Sequence, residues 1–109
     1  MLSKDSKIYI AGHKGMVGSS CWNLLDSAGY TNLLGRSSKE LDLRNFADVK
    51  HFYQSEKPDY VIDAAATVGG IMANKKNLFK FLIENSQIQN NLIKLSFDFD
   101  VKKFIFLGS

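Results

Sequence analysis

Short apolar runs alternate with amphipathic segments along the 109-residue chain. Four runs have strand length, and the segments between them place apolar residues three or four positions apart, as helices do. The pattern predicts strands over residues 7–11, 31–34, 60–63 and 104–107, and helices over about 15–28, 45–55 and 77–97. Gly29 and Pro58 stand where the first two helices should end, because glycine suits a helix C-cap and proline cannot continue a helix.

This alternation predicts an α/β fold, a doubly wound parallel sheet with flanking helices and right-handed crossovers. The expected strand order is 3-2-1-4. Each predicted helix carries an apolar stripe, and the stripe of the second helix is expected to face inward. The stripes are Val17, Cys21, Leu24 and Leu25, then Phe46, Val49, Phe52 and Tyr53, then Leu78, Leu82, Ile88, Leu92 and Leu95.

The first strand runs directly into three glycines with G-x-x-G-x-x-G spacing, Gly12, Gly15 and Gly18. Such a turn directs backbone N–H groups and the positive end of a helix dipole at one point, which suits a pyrophosphate. We assign Gly12 to the tight turn, Gly15 to the close approach of phosphate, and Gly18 to packing of the helix on the strand. The turn favours a Rossmann-type dinucleotide-binding domain, with three chance turn glycines as the alternative.

The residues after the second strand favour NADP over NAD. NAD sites usually place an acidic residue there to hold the ribose 2′-hydroxyl, whereas this chain has Arg36, Ser38 and Lys39, with Lys14 inside the glycine turn. Cations and hydroxyls suit a 2′-phosphate. The alternative is that Arg36 and Lys39 are solvated loop charges.

Small and polar residues near the carboxyl ends of the strands extend the candidate site. The run Ala64, Ala65 and Ala66 leaves room for a cofactor lying across the sheet, or simply packs closely. Asp42 either accepts a hydrogen bond from the adenine amino group or caps the second helix. Ser109 follows the fourth strand, where its hydroxyl can hydrogen-bond a substrate carbonyl or alcohol.

Composition and charge argue against several other classes. The net charge is +3, from 14 Lys and Arg against 11 Asp and Glu, but no basic run indicates a nucleic-acid groove. No apolar stretch approaches the roughly 20 residues that span a membrane, and the polar start is unlike a secretory signal. The single Cys21 fits a reducing compartment, so the cytoplasm is the expected location. We interpret His13 and His51 as non-catalytic, and no Cys/His cluster has metal-ligand spacing.

The fourth predicted strand is apolar throughout, from Phe104 to Leu107. Such a strand is usually covered on both faces, and an uncovered apolar edge promotes aggregation. We therefore expect a truncated part of a larger doubly wound domain, with residues 1–109 as the N-terminal portion of an NADP-binding unit. A compact natural mini-domain is the alternative.

These features together resemble the extended short-chain dehydrogenase/reductase family. The resemblance spans nearly the whole chain, but only about the first third of a typical member. The run Val68-Gly69-Gly70-Ile71 is its most specific part, and is similar to members that act on GDP-sugars. The three matching motifs are the run from Ile10 to Gly18, Ala64-Ala65-Ala66-Thr67-Val68-Gly69-Gly70-Ile71, and Phe106-Leu107-Gly108-Ser109.

The resemblance implies an NADPH-dependent oxidoreductase and epimerase that acts on GDP-4-keto-6-deoxy-D-mannose by 3,5-epimerisation and 4-reduction. It also implies a homodimer at full length, and Ser109 as the catalytic serine. The cofactor contacts implied by motif matching are Gly12, His13, Lys14, Gly15, Met16, Val17, Gly18, Ser38, Lys39, Glu40, Leu41, Asp42, Leu43, Leu107 and Gly108.

The chain departs from the family pattern in two ways. Lys14 stands where members often carry Arg, which keeps the charge but loses the planar fork for a phosphate. The chain also ends before the Tyr-x-x-x-Lys pair of the family, in which the Tyr donates the proton to the substrate and the Lys lowers the pKa of the Tyr. The Cys and His acids of epimerisation and the sugar-nucleotide domain are expected beyond that point as well. The resemblance therefore implies weak NADPH binding and no catalysis by the chain alone. The alternatives are a non-catalytic nucleotide-binding module completed by a partner chain, a regulatory domain, and another NAD(P)-dependent sugar-nucleotide epimerase/dehydratase.

Overall fold

A computed structural model describes residues 3–65 and 75–107 of the chain. The predicted alternation of strands and helices in a parallel sheet is confirmed. The third helix begins earlier than predicted, and the fourth strand is shifted towards the N-terminus. The elements are β1 (Lys7–Ala11), α1 (Met16–Ser27), β2 (Asn32–Leu34), α2 (Phe46–Glu56), β3 (Tyr60–Asp63), α3 (Lys75–Asp98) and β4 (Lys103–Phe106).

The strand order is β2-β1-β3-β4, so the predicted order 3-2-1-4 is wrong. β3 pairs with the free edge of β1, with Ile8 opposite Tyr60 and Ala11 opposite Asp63. β2 has only three residues and is at most half-buried, so its outer edge would give the apolar β3 little cover. Between β1 and β4, β3 has a partner on each edge, as an apolar parallel strand requires.

The core lies between the sheet and the helices α2 and α3. Tyr9 and Val61 reach it from neighbouring strands, and the buried Tyr53 hydroxyl lies 2.9 Å from the Ser96 hydroxyl within it. Phe46 is 40% exposed, so the predicted inward face of the second helix is wrong at that residue and correct at the other three. The buried apolar cluster consists of Tyr9, Ala11, Leu41, Val49, Phe52, Tyr53, Val61, Leu92 and Leu95.

Helix α1 packs through a glycine rather than through its apolar stripe. Gly18 is its only buried residue, whereas Val17 and Leu24 are 52% and 72% exposed. Successive residues lie about 100° apart around a helix, so turning Gly18 inward leaves Val17 on the flank. Ile8 and Ile10, which alternate with the core residues of β1, are buried as well.

Several apolar residues of α3 and β4 are exposed. Leu92 and Leu95 are fully buried, but Leu82 is 49% exposed, and the side chain of Leu78 lies outside the described residues. β4 is an edge strand, and its Phe106 is 53% exposed. Within the described residues the strand is partly covered at Phe104, which packs against the core, and exposed at Ile105 and Phe106.

Asp63 is a buried carboxylate at the end of β3. Its Oδ1 accepts a hydrogen bond from the Ala65 backbone N–H at 3.0 Å. Its Oδ2 has no hydrogen-bond partner within residues 3–65 and 75–107. Burial raises the pKa of Asp63; the Ala65 N–H and the Gln89 amide offset part of that rise. Within the described residues the Gln89 amide forms no hydrogen bond, so the Ala65 N–H is the contact that holds the Asp63 carboxylate.

We predict that Asp63→Asn stabilises the fold at neutral pH. Because the pKa of Asp63 is raised in the folded state, the folded chain binds the proton more tightly, and stability falls as pH rises through that pKa. Asn keeps an acceptor for the Ala65 N–H without a buried charge. Denaturant unfolding should give a higher midpoint for the variant at neutral pH, with the advantage shrinking towards about pH 4.

Asp26→Asn is the matched control, because Asp26 is exposed on α1. Its unfolding midpoint should follow the wild type at every pH. A lower stability of Asp63→Asn at neutral pH would contradict the sign of this prediction.

Candidate functional site

The glycine-rich turn is held by two close backbone approaches. Gly12 has φ +78°, and a Cβ atom there would lie 2.6 Å from the Ala64 carbonyl oxygen. A Cβ at Gly18 would lie 1.9 Å from the Gly12 carbonyl oxygen. Both contacts are closer than real Cβ atoms allow, so packing alone requires glycine at these two positions.

Gly15 is different, because packing leaves room beside it. A Cβ there would meet only the Gly12 carbonyl oxygen, at an ordinary 3.4 Å, and its φ of −74° suits any residue. Gly15 is also the N-cap of α1, which has no side-chain cap and no acidic residue in its first turn. The uncapped N–H groups and the open space together suit an anion.

Two cavities of about 440 Å³ each adjoin this turn. They share Gly12, Arg36 and Ser38, so the site is continuous from the glycines to the loop after β2. The turn cavity is lined by Gly12, His13, Lys14, Gly15, Arg36, Ser37, Ser38 and Ala64. The helix cavity is lined by Gly12, Arg36, Ser38, Leu41, Asp42, Leu43, Arg44, Ala65, Glu84 and Ile88.

Some predicted contacts do not line either cavity. Met16 is 87% exposed on the first turn of α1, and Gly18 is buried behind the turn. Four more predicted cofactor contacts also lie outside both cavity linings, namely Val17, Lys39, Glu40 and Leu107. Ala66, Gly108 and Ser109 lie outside the described residues, as does the run Val68-Gly69-Gly70-Ile71.

Arg36 is fixed in place, so it is not the solvated loop charge that was the alternative. One terminal nitrogen donates to the Gly35 carbonyl at 2.8 Å, and the other to Glu56 Oε2 at 3.3 Å. Its guanidinium carbon lies 5.1 Å from the centre of the Phe52 ring, a cation–π contact. A guanidinium has five N–H donors, so these contacts leave it donors for an anion in either cavity.

The segment after Arg36 is ordered by a reciprocal cap. The Ser37 backbone N–H donates to Glu40 Oε1 at 2.7 Å, and the Glu40 N–H donates to Ser37 Oγ at 3.3 Å. This is the capping-box arrangement of a Ser-x-x-Glu sequence. The backbone hydrogen bond from Ser37 holds the pKa of Glu40 below its usual value. Ser38 is therefore presented to both cavities on a fixed turn.

Asp42 does not cap the second helix, so that alternative is wrong. The cap is Asn45, whose side chain accepts the Asp48 N–H at 3.1 Å and which directly precedes the helix. The Asp42 carboxylate instead accepts hydrogen bonds from Arg44, which hold its pKa below the usual range. Arg44 also reaches Glu84 of α3 at 3.1 Å. The adenine contact of Asp42 stays a prediction.

A sequence model of the NAD dependent epimerase/dehydratase family matches residues 8–109. The chain belongs to this family. Over its whole length it is 50% identical to the putative GDP-L-fucose synthase 2 of Arabidopsis thaliana, and over 94% of its length 42% identical to the GDP-L-fucose synthase of Escherichia coli strain K12.

Solved structures agree with the family assignment. The chain matches MlghC, a GDP-mannoheptose C4 reductase from Campylobacter jejuni with NADP bound, at a TM-score of 0.91 and 42% identity over 99% of its length. The chain spans about a third of the length of each of these relatives, between 32% and 33%. No helix in the described ranges is long and apolar enough to cross a membrane.

Tyr53 and Lys57 have a Tyr-x-x-x-Lys spacing, but their geometry does not suit the proton-donating role that the family resemblance implies for such a pair. The Tyr53 hydroxyl is buried against Ser96 and the Leu92 carbonyl, on the core side of α2. Burial raises the pKa of Tyr53 to about 12. Lys57 is an exposed helix C-cap. Tyr53 belongs to the core, and neither residue lines either cavity.

Four cavity residues were not predicted as site residues from the sequence, namely Ser37, Arg44, Glu84 and Ile88. Glu84 and Ile88 are one helical turn apart on α3, so they share a face. That i, i+4 spacing is visible in the sequence, but only the fold shows which face lies beside the loop after β2. Arg44 directly precedes the predicted start of the second helix, so its position in the sequence did not indicate a site residue.

We predict that Gly15→Ala mainly weakens nucleotide binding, whereas Gly18→Ala mainly lowers the stability of the fold. Gly15→Ala should leave the unfolding free energy within about 1 kcal/mol of wild type, since only an N-cap preference changes. It should weaken binding of a dinucleotide by about tenfold or more, because the new methyl group fills the anion position. Gly18→Ala should destabilise by about 3 kcal/mol through backbone overlap.

Chemical denaturation and nucleotide titration of both variants check this prediction. Equal destabilisation by the two substitutions would show that Gly15 is a packing glycine as well.

Proposed function

We propose that the chain is the N-terminal, NADPH-binding part of a GDP-L-fucose synthase, which converts GDP-4-keto-6-deoxy-D-mannose to GDP-L-fucose by 3,5-epimerisation and 4-reduction. The observation that carries the proposal is the open space at Gly15, at the uncapped start of α1, facing a cavity that Arg36 also lines. The GDP-L-fucose synthases that align along nearly the whole chain support the choice of enzyme.

The residues present fit NADPH. The glycine turn would hold the pyrophosphate on the first N–H groups of α1. Arg36 and Ser38 would hold the 2′-phosphate, with Lys14 in the same cavity and Lys39 next to Ser38 in the sequence. No acidic side chain directly follows β2 to favour NAD. The helix cavity, with Asp42 at its edge, would receive the adenine.

The remaining roles depend on residues at the carboxyl ends of β3 and β4. Ala64 and Ala65 are small and leave space beside the turn. Leu107 and Gly108 would contact the cofactor, which supplies hydride when bound, and Ser109 would hydrogen-bond the sugar oxygen that is reduced. Ala66 would continue the small-residue run. We further propose a GDP-sugar as substrate, a homodimer of the full-length protein, and a cytoplasmic location.

A second candidate reaction is 4-reduction of a GDP-4-keto sugar without epimerisation. It is favoured by MlghC, named as a C4 reductase, which is as similar to the chain as the Escherichia coli GDP-L-fucose synthase, at 42% identity. Product analysis separates the two reactions, because only epimerisation changes the configuration at C3 and C5.

We predict that NADPH raises the melting temperature of the protein more than NADH does at equal concentration, by linkage to binding of the folded state. Lys14→Gln should narrow this difference, because it removes a cation from the turn cavity. Lys102→Gln is the matched control, since Lys102 precedes β4 at the opposite end of the strands. Equal thermal shifts with both cofactors in the wild type would contradict the preference for NADP.

For the enzyme, we predict that Ser109→Ala lowers kcat by about 100-fold, the usual contribution of one positioned acid–base group. The measurement is NADPH oxidation by the full-length protein with GDP-4-keto-6-deoxy-D-mannose, with the product identified by chromatography. NADPH affinity should change little, because the serine hydroxyl acts on the sugar. Wild-type turnover in Ser109→Ala would remove Ser109 from the catalytic group.

A further inference from the structure

His13 occupies a fixed position inside the glycine turn. Its ring lies against the Trp22 ring of α1, with centroids 5.5 Å apart and planes inclined by 45°. Its Nδ1 is buried and has no hydrogen-bond partner within the described residues. Packing on Trp22 therefore positions the ring, and Nδ1 contributes no hydrogen bond to the described residues.

The ring also fills the space where a side chain at position 35 would lie. A Cβ atom on Gly35 would stand 2.6 Å from His13 Cγ, 2.7 Å from Cδ2 and 2.8 Å from Nδ1. Gly35 does not have a positive φ, so its backbone conformation does not require glycine. Overlap with the His13 ring, rather than backbone conformation, therefore disfavours a side chain at position 35.

This contact joins the two halves of the proposed cofactor site. Gly12 and Gly15 flank His13 on the pyrophosphate side, and Gly35 leads into Arg36 on the other side. The Gly35 carbonyl accepts a hydrogen bond from the Arg36 guanidinium, so a shift of Gly35 moves Arg36 as well. The thickness of one imidazole ring thus sets the separation between the glycine turn and the loop after β2.

We propose that His13 is a positioning residue for NADPH selection: braced by Trp22 and pressed on Gly35, its ring fixes the distance between the pyrophosphate turn and the Arg36–Ser38 phosphate site. This inference rests on the proposed NADPH function. It assigns to His13 a spacer role, in place of the direct cofactor contact implied by the family resemblance.

The charge state of the ring agrees with a spacer. Burial lowers the pKa of His13 most, and the positive charge of Lys14 lowers it further. Arg36 also lowers this pKa, whereas the Glu40 carboxylate raises it. These influences favour the neutral imidazole, which contributes volume rather than charge. A neutral ring also avoids repelling Arg36, whose cation is needed for the 2′-phosphate.

A double-mutant cycle of His13→Ala and Gly35→Ala tests the contact without nucleotide. Gly35→Ala should lower the melting temperature of the wild-type chain by several degrees, because the methyl group overlaps the ring. In the His13→Ala background the same substitution should have little effect, because the space is vacant. Additive shifts in the two backgrounds would overturn the proposal.

Titration with NADPH and NADH tests the selection. Each single variant should bind NADPH about tenfold more weakly, as expected for one lost charge-assisted hydrogen bond, and NADH within about twofold of wild type. The double variant should bind NADPH no more weakly than either single variant. His51→Ala, on the exposed face of α2, is the matched histidine control and should leave both affinities unchanged.

Two outcomes separate this proposal from the proposed function. Equal losses of NADPH and NADH affinity in His13→Ala would mean a direct contact to the shared part of the cofactor, which overturns the spacer role alone. Absence of NADPH binding by the wild-type protein would overturn the proposed function and the selection role together.

Discussion

The close approach of α1 to the backbone of the glycine turn is the constraint on which the site depends. No side chain fits between Gly18 and the Gly12 carbonyl, so the start of α1 is fixed against the end of β1. Gly12 is in turn fixed against Ala64 of the neighbouring chain segment. The uncapped N–H groups of α1 consequently point to one place, and the space at Gly15 is preserved there. A helix displaced by one methyl group would lose this alignment.

The charged side chains of the site are placed by one another before any ligand arrives. Arg36 is held by Glu56 and Phe52, and Asp42 is held by Arg44. Arg36 and Asp42 were both predicted as ligand contacts, but the structural partners of these two side chains were not predicted. Rotamers fixed in the free protein reduce the entropy that binding must overcome. The same pairing lowers the net charge that the cavities present to solvent.

The sequence predicted the helices and strands well, because they depend on nearby residues. It predicted the contacts between distant segments poorly. Gly29 and Pro58 marked helix ends correctly because capping acts within a few residues. The predicted strand order was wrong because the order depends on which strand β3 pairs with. That choice is set by residues that are distant in the sequence. For the same reason the glycine turn, a contiguous motif, was identified, whereas Glu84 was not, because α3 meets the loop after β2 only in the folded chain.

The position of β3 beside β1 has a consequence for how the sheet assembles. The Lys7 backbone N–H at the start of β1 bonds to Asp59, 52 residues further along the chain. β1 is an inner strand of the sheet, yet the edge that pairs with β3 stays unpaired until a long segment containing α1, β2 and α2 has been closed. Loop closure of this length slows folding relative to local pairing. During synthesis β1, which is buried at four of its five residues, therefore emerges before the other three strands of this sheet and acquires its second neighbour late, which makes this interval the one most exposed to misassembly.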